Sequence, residues 1–365
     1  MQKFIIWLDI LHLHNQGKSR MAIQQRYQRV LKFFVLLNFA ILTISACGIS
    51  SYRELEAVSN NCRIIAHVMG DTCVPLNPQR VVVWGGTELD PVLALGVKPI
   101  AGTPNVLTYV KEKLPSEQWQ GIEDISNPQG PNLERLLKLK PDLILGHKSR
   151  IEQVYPQLSK IAPTVLDGAE DWKRTFRLFA EALGKTDKAQ QVMDNYDARI
   201  KRFKAEMSNQ LPFTISAIEV RADAFILSTK DSFAMSVIQE AGLSLPPALT
   251  QYTWRTWTLS KERLYELESD ALFLRSWGEV GKEQHKAQSQ LEKLKTDPLW
   301  TQLQVVQQNK VYEVGDYFQG AGPITANFIL DDLFTAYCKF MRYSKRSTQM
   351  KSNETVLARL ARKNS

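Results

Sequence analysis

Residues 185–207, "KTDKAQQVMDNYDARIKRFKAEM", run 23 positions without a Gly or a Pro. At about 1.5 Å per residue such a run forms a helix roughly 35 Å long. That length makes it a spine rather than a connection, and whatever it joins must lie on either side of it. Upstream, "RVVVW" (80–84), "KPIAGT", "DLILG" and "PTVLD" read as short buried strands. Between them "ELDPVLALGV" reads as a helix closed by Gly96, "LERLLKLK" as one capped by Asn132 and stopped by Pro141, and "YPQLSKIA" as a third. "DWKRTFRLFAEALG" is an amphipathic helix leading into the spine. Downstream, "FTISAIEVR", "AFILST" and "KVYEVG" read as strands, "DSFAMSVIQEAGL" as a helix, and a last helix starts at Pro323. Strand alternating with helix implies mainly parallel sheets covered on both faces. The predicted fold class is α/β, with two lobes joined by one long rigid helix.

A short phrase occurs once in each lobe. "NLERLLKLKPDLILG" (132–146) and "SKERLYELESDALFL" (260–274) share Glu134/Glu262, Arg135/Arg263, Leu136/Leu264, Leu139/Leu267 and Asp142/Asp270, all at an offset of 128. Both read as a capped helix with an acid in its first turn, followed by a strand. A carboxylate there also favours the helix dipole, so stability alone is sufficient reason for Glu134 and Glu262.

The formal charge of +8 on 365 residues lies at the ends of the chain. Residues 1–46 hold six Lys and Arg against one acid, and residues 342–365 hold seven against one. The body between them has 33 basic and 36 acidic residues, which argues against nucleic acid as a partner. The front end, "RYQRVLKFFVLLNFAILTISACGIS", has a basic start, an apolar run and small residues before Cys47, the three parts of an export signal. Ile44-Ser45-Ala46-Cys47 resembles a bacterial lipobox, in which the chain is cut before a Cys that is then lipidated. An uncleaved anchor is the alternative, although the run is shorter than the roughly 20 residues a span needs. Translation starts at Met1 or at Met21. Cys62 and Cys73 flank the short loop "CRIIAHVMGDTC" and are near enough to pair in an oxidising compartment, two free thiols being the alternative. Cys338, in "FILDDLFTAYCKF", reads as core, as does Trp300 in "DPLW".

In an open α/β sheet, ligands bind beyond the carboxyl ends of the strands. The residues there are Trp84 and Thr87, Thr103, His147 and Lys148, Arg221, Arg275 and Trp277, and Asp316, Tyr317 and Phe318. The irregular stretch "QYTWRTW" adds Trp254, Arg255 and Trp257. The candidate ligand-binding set is therefore Trp84, Thr87, His147, Arg221, Trp254, Arg255, Arg275, Trp277 and Tyr317. It is rich in arginine and aromatics, which suits a bulky anionic ligand. After residue 46 the chain has only His67, His147 and His285, widely scattered, so direct metal binding has no ligand set. No nucleophile elbow, zinc-protease helix or P-loop motif occurs, and an enzyme is not expected.

The lipobox, "PQRVVV…ALGVKPIAGT", "PNLERLLKLKPDLILG", the long central helix, "VRADAFILSTKDSFAMSVIQEAGL" and "DPLWTQLQVVQQNKVYEVGDYFQGAGPITANFILDDL" stand in an order that resembles the substrate-binding lipoproteins of ABC importers for iron–siderophore complexes. The resemblance spans about residues 60–340. It implies two Rossmann-like lobes of the helix-linked periplasmic binding protein fold, with a ferric siderophore held between them. The iron stays wrapped by the ligand's own oxygens, so no cofactor is bound directly. Cobalamin or haem is the alternative ligand, and a bare metal ion ranks behind both. The resemblance also implies that Glu134 and Glu262 dock onto arginines of a permease with its ATPase subunits. The protein would be a monomer, lipid-anchored at the periplasmic face of the inner membrane or the outer face of a single membrane. The expected organisation is a signal peptide over 1–46 (1–20 lying upstream of the start if translation begins at Met21) and a lipid-anchored linker over 47–61. Lobes over 62–168 and 209–341 are separated by linking helices over 169–208, and a basic tail covers 342–365.

Overall fold

The computed structural model describes residues 61–103, 113–125, 131–169, 171–278 and 281–339. These fall almost entirely in one unit, Arg63–Ser365. The export signal, Cys47, both candidate starts and the basic tail lie outside the described residues. No described helix is long and apolar enough to cross a membrane.

The chain opens with a two-stranded hairpin, β1 (Cys62–His67) and β2 (Gly70–Pro75), and Cys62 and Cys73 are disulfide-bonded within it. The expectation of a loop between these cysteines is thus corrected. The first sheet has the order β5-β4-β3-β6-β7 and is wholly parallel. Its strands are β3 (Val81–Trp84), β4 (Ala101–Gly102), β5 (Glu123–Asp124), β6 (Leu143–His147) and β7 (Thr164–Asp167). β3 is buried at all four positions, as a central strand covered on both faces must be. Asn132 caps the helix Leu133–Leu139 by accepting from the Arg135 N–H, and Lys140 ends that helix in the left-handed region, just before Pro141.

Asp171 caps the helix Trp172–Leu183, and Gly184 (φ 65°) turns the chain into the spine Thr186–Met207. The spine buries Ala189, Tyr196, Ile200, Phe203 and Met207, one stripe at helical spacing. It also makes polar contacts. The Tyr196 hydroxyl donates to Glu240 Oε2 at 2.9 Å, and Arg199 reaches Asn327 Oδ1 at 2.7 Å and Asp331.

The second sheet has the order β10-β9-β8-β11-β12. β8 (Ile215–Val220), β11 (Ala271–Ser276) and β12 (Val311–Glu313) are parallel; β9 (Phe225–Ser228) and β10 (Thr256–Leu259) add an antiparallel edge. Part of "QYTWRTW", read as irregular, therefore belongs to an edge strand. The second copy of the repeated phrase is corrected too. Lys261–Leu267 is a 3₁₀ helix, and the Ser260 side chain does not cap it. Cys338, expected in the core, is exposed; the buried stripe of the final helix (323–339) runs through Ala326, Ile329, Leu330, Leu333 and Ala336 and leaves it outside. Trp300 is buried.

The lobes also meet directly. Asp90, at the start of the helix Leu89–Ala94 in the first lobe, is wholly buried. It accepts from the backbone N–H of Ile324 (2.9 Å) and of Thr325 (2.8 Å) and from the Thr325 hydroxyl (2.6 Å). These are the second and third residues of the final helix, so Asp90 caps that helix from the other lobe. A side chain at Gly322 would collide with the Asp90 carboxylate. Lys113 of the first lobe adds a contact over the Tyr317 ring, 5.6 Å from its centroid.

Candidate functional site

The Asp90 contact joins a segment following β3 to one following β12, so the carboxyl ends of the two sheets border one crevice. On the first-lobe side, β3 runs into a tight turn at Gly85 (φ 121°), whose N–H donates to the Thr103 hydroxyl at 3.2 Å. The turn folds over Glu88. The half-buried Thr87 donates its hydroxyl to Glu88 Oε1 at 3.0 Å, and Oε2 is the one buried side-chain nitrogen or oxygen among the described residues without a hydrogen-bond partner. Burial pushes the Glu88 carboxyl above the usual range, against the pull of Arg150, Thr87 and His147. His147 ends β6 half-buried. Its Nδ1 meets Ser149 Oγ at 2.8 Å and accepts from the Ser149 N–H at 3.2 Å, which orients the ring at the lip of the crevice.

A Cβ at Gly85 would overlap Glu88 Oε2 and lie 2.7 Å from its Cδ, at a φ that L-residues rarely adopt. Gly85→Ala is expected to cost about 2–3 kcal/mol, read as a lower urea midpoint. Stability within about 0.5 kcal/mol of wild type would show that the Glu88 side chain moves away and that the backbone at residue 85 also relaxes to a φ open to alanine.

On the second-lobe side the floor is ionic. Glu219 and Arg275 are registered neighbours on β8 and β11, and both are buried. Arg275 donates from Nε to Glu219 Oε2 at 2.8 Å, again from Nη2 to the same oxygen, and from Nη1 to Asp316 Oδ1 at 2.9 Å. Arg221 donates from Nε to Glu219 Oε1 at 2.5 Å and lies over the Trp277 ring, 4.9 Å from its centroid. Burial raises the Asp316 carboxyl; Arg275 opposes that shift and Glu219 adds to it. A cavity of about 210 Å³ opens here, lined in part by Arg275, Ser276, Trp277, Gln284, Gln288 and Asp316. On the opposite edge of the sheet Trp254, just before β10, is 77% exposed with φ 72°, and Trp257 is 5.3 Å from Tyr252. Arg255 is exposed on the same edge.

The sequence-based set therefore divides. Thr87, His147, Arg221 and Trp277 lie at the crevice ends of the strands, whereas Trp254 and Arg255 lie exposed at the start of β10, on the opposite edge of the sheet and level with the amino end of β8. Two expectations are corrected. Trp84 is buried in a core cluster with Val82 and Ile144, because residues two apart on a strand share a face. Tyr317 is buried, with its hydroxyl given to Asp332 Oδ2 at 2.6 Å. Arg275 lines the cavity as expected in position, with its guanidinium paired to Glu219 and Asp316. Two contributors were missed, Glu219 and Glu88; Asp316 was named at its strand end but left out of the candidate set. An acid inside the otherwise apolar strand "ISAIEV" was the readable signal for the first, since a buried charge demands a partner. Among the described residues no group of three or more His, Cys, Asp or Glu side chains is placed to hold a metal ion.

The chain is similar to known proteins. A probable siderophore-binding lipoprotein of Bacillus subtilis, YfiY, is 30% identical over 86% of this chain and 99% of its own length. The Fe(3+)-citrate-binding protein YfmC of the same organism is 28% identical over 78% of this chain and 89% of its own. The crystal structure of Staphylococcus aureus SirA complexed with staphyloferrin B superimposes with a TM-score of 0.65 at 28% identity, covering 75% of this chain and 98% of that one. The family model described as periplasmic binding protein matches residues 81–317. With two α/β lobes on one helical spine, the chain belongs to the periplasmic binding protein family.

Proposed function

We propose that this protein is the substrate-binding component of an ABC importer and captures a ferric siderophore between its lobes. The observation that carries the reading is near full-length similarity to a siderophore-binding lipoprotein, joined to strand ends that present Arg221 over Trp277. Such a site holds the ligand by its periphery. Arginine meets anionic oxygens, indole faces cover apolar surface, and the iron keeps the siderophore's own ligands. No cofactor and no catalytic group enter this scheme. The spine and the Asp90 contact resist hinge motion, so closure on the ligand is small. A lipid anchor at Cys47 would hold the protein on the outer face of a membrane, as a monomer. Glu134 and Glu262, both exposed, would face the permease, and ATP hydrolysis belongs to its partner subunits.

A carboxylate-rich ligand is favoured within this class. Relatives are named for ferric citrate and achromobactin, and Arg221 keeps 42% of its side chain exposed while bound to Glu219. The test is tryptophan fluorescence of the soluble body from Ile49 onward, which keeps seven of the eight Trp residues. Saturable quenching is expected with ferric carboxylate siderophores. Arg221→Ala is expected to weaken it about 10-fold or more, as for loss of a charged hydrogen bond. Response to cobalamin, haem or a bare ion alone would move the function to those ligands.

A further inference from the structure

The repeated phrase carries a second correspondence that the shared residues do not reveal. Leu137 and Tyr265 also stand 128 apart, and they are 57% and 65% exposed. Each follows the acid of its element by three positions, Leu137 after Glu134 and Tyr265 after Glu262. Three residues on an α-helix return to nearly the same face, and on a 3₁₀ helix they eclipse. Acid and apolar side chain therefore project together from both elements, although one is α-helical and the other 3₁₀.

The surroundings match as well. Leu136 and Leu264 are fully buried beneath them and fix both elements to their lobes. The neighbouring arginines are engaged within the protein, Arg135 with Glu123 at 2.7 Å and Arg263 with Glu266 at 2.5 Å. Lys261 is paired with Asp297. Each patch thus offers one exposed carboxylate beside one exposed apolar side chain. A single exposed Leu or Tyr is ordinary on a protein surface. Recurrence in the same register from the acid, on two lobes whose helix types differ, calls for a partner that meets both lobes alike. A two-fold partner does that.

We propose that Leu137 and Tyr265 are paired apolar anchors for the permease, each entering an apolar pocket that lies beside a cation on one half of a two-fold channel. This rests on the reading that Glu134 and Glu262 face the permease. The acids steer and orient the encounter, and the anchors slow dissociation once water is excluded around them.

The test replaces the gene in the source organism with variants and measures uptake of radiolabelled iron on the ligand. Each purified protein is also titrated by tryptophan fluorescence. Leu137→Ser or Tyr265→Ser is expected to reduce docking about 10-fold and the double variant about 100-fold, with ligand affinity unchanged. Glu134→Lys with Glu262→Lys is expected to abolish uptake, also with ligand affinity unchanged. A photo-crosslinking residue at Leu137 or Tyr265 is expected to label the permease. Full uptake by the Leu/Tyr double variant beside loss in the charge-reversed one overturns the anchors and leaves the docking reading standing. Full uptake by both overturns the docking reading itself. Binding of the soluble body to protein-free vesicles, lost in the Leu/Tyr double variant, would show the occupant to be lipid and overturn the proposal.

Discussion

Glu219→Ala is expected to lower stability by about 3–5 kcal/mol, the usual cost of breaking a buried ion pair by removing one partner. Arg275 is only 6% exposed and directs Nε and Nη2 at Glu219. Without that acid, Asp316 alone remains to it, through Nη1. Arg221 loses its anchor in the same change, and its place over Trp277 is no longer fixed. Ligand affinity should therefore fall along with stability. Two controls separate the causes. Glu219→Gln keeps the volume and one acceptor and should lose less. The double variant Glu219→Leu with Arg275→Met removes both charges and should recover most of the stability, because a well-packed apolar pair avoids the desolvation penalty. It should not recover affinity, since Arg221 is still unanchored. Urea denaturation and fluorescence titration of the three proteins read both effects. A single alanine variant within 1 kcal/mol of wild type would show that water relieves Arg275 and that the floor is not sealed.

The contrast between what the sequence revealed and what it hid follows the range of the interactions. β3 and β6 were legible because "VVVW" and "LILG" are continuous apolar runs, which only a strand covered on both faces requires. Asn132 and Asp171 were legible as caps because capping is local. The hairpin Cys62–Pro75 was read as a loop because its strands lack clean alternation, β1 burying only Ile65 fully. The helix Lys282–Lys295 was passed over because it buries only Ala287, Leu291 and Leu294 among polar residues.

At the site, strand ends are predictable from pattern, but the face a side chain takes depends on register. That is why Trp84 entered the core with Val82. The Glu219–Arg275 pair is set by the alignment of β8 and β11, residues 56 apart in sequence, and no local signal encodes that. One non-local contact did leave a trace. The final helix opens "QGAGPITANF", with none of the Ser, Thr, Asp or Asn residues that usually cap a helix at the position before Pro323. A helix start without its own cap has N–H groups to satisfy elsewhere, and the missing acceptor is Asp90.

Asp90→Ala is accordingly expected to cost about 3 kcal/mol, since it strands the backbone N–H groups of Ile324 and Thr325 and leaves the Thr325 hydroxyl only the Gly322 carbonyl. Hydrogen exchange at Ile324 and Thr325 should quicken, because their amides lose an acceptor that no residue of their own lobe supplies. The contact also has a pH signature. Burial outweighs the three donors and raises the Asp90 carboxyl from 3.8 to about 6. A carboxyl whose folded pKa is raised binds its proton more tightly in the folded chain. Its contribution is fully present below about pH 4 and is lost as the pH rises through about 6. A shift of about two units corresponds to something on the order of 3 kcal/mol. Asp90→Asn keeps an acceptor and removes the titration, so the difference between wild type and this variant isolates Asp90 from Asp332, which burial also raises to about 6. Urea denaturation from pH 4 to pH 7 should show the wild-type advantage largest at the acid end and shrinking toward neutrality. An advantage that grows with pH would mean that the N-terminus of the final helix holds Asp90 ionised. The contact between the lobes would then be a charge–dipole cap at the pH where the protein works, and it would loosen only on acidification.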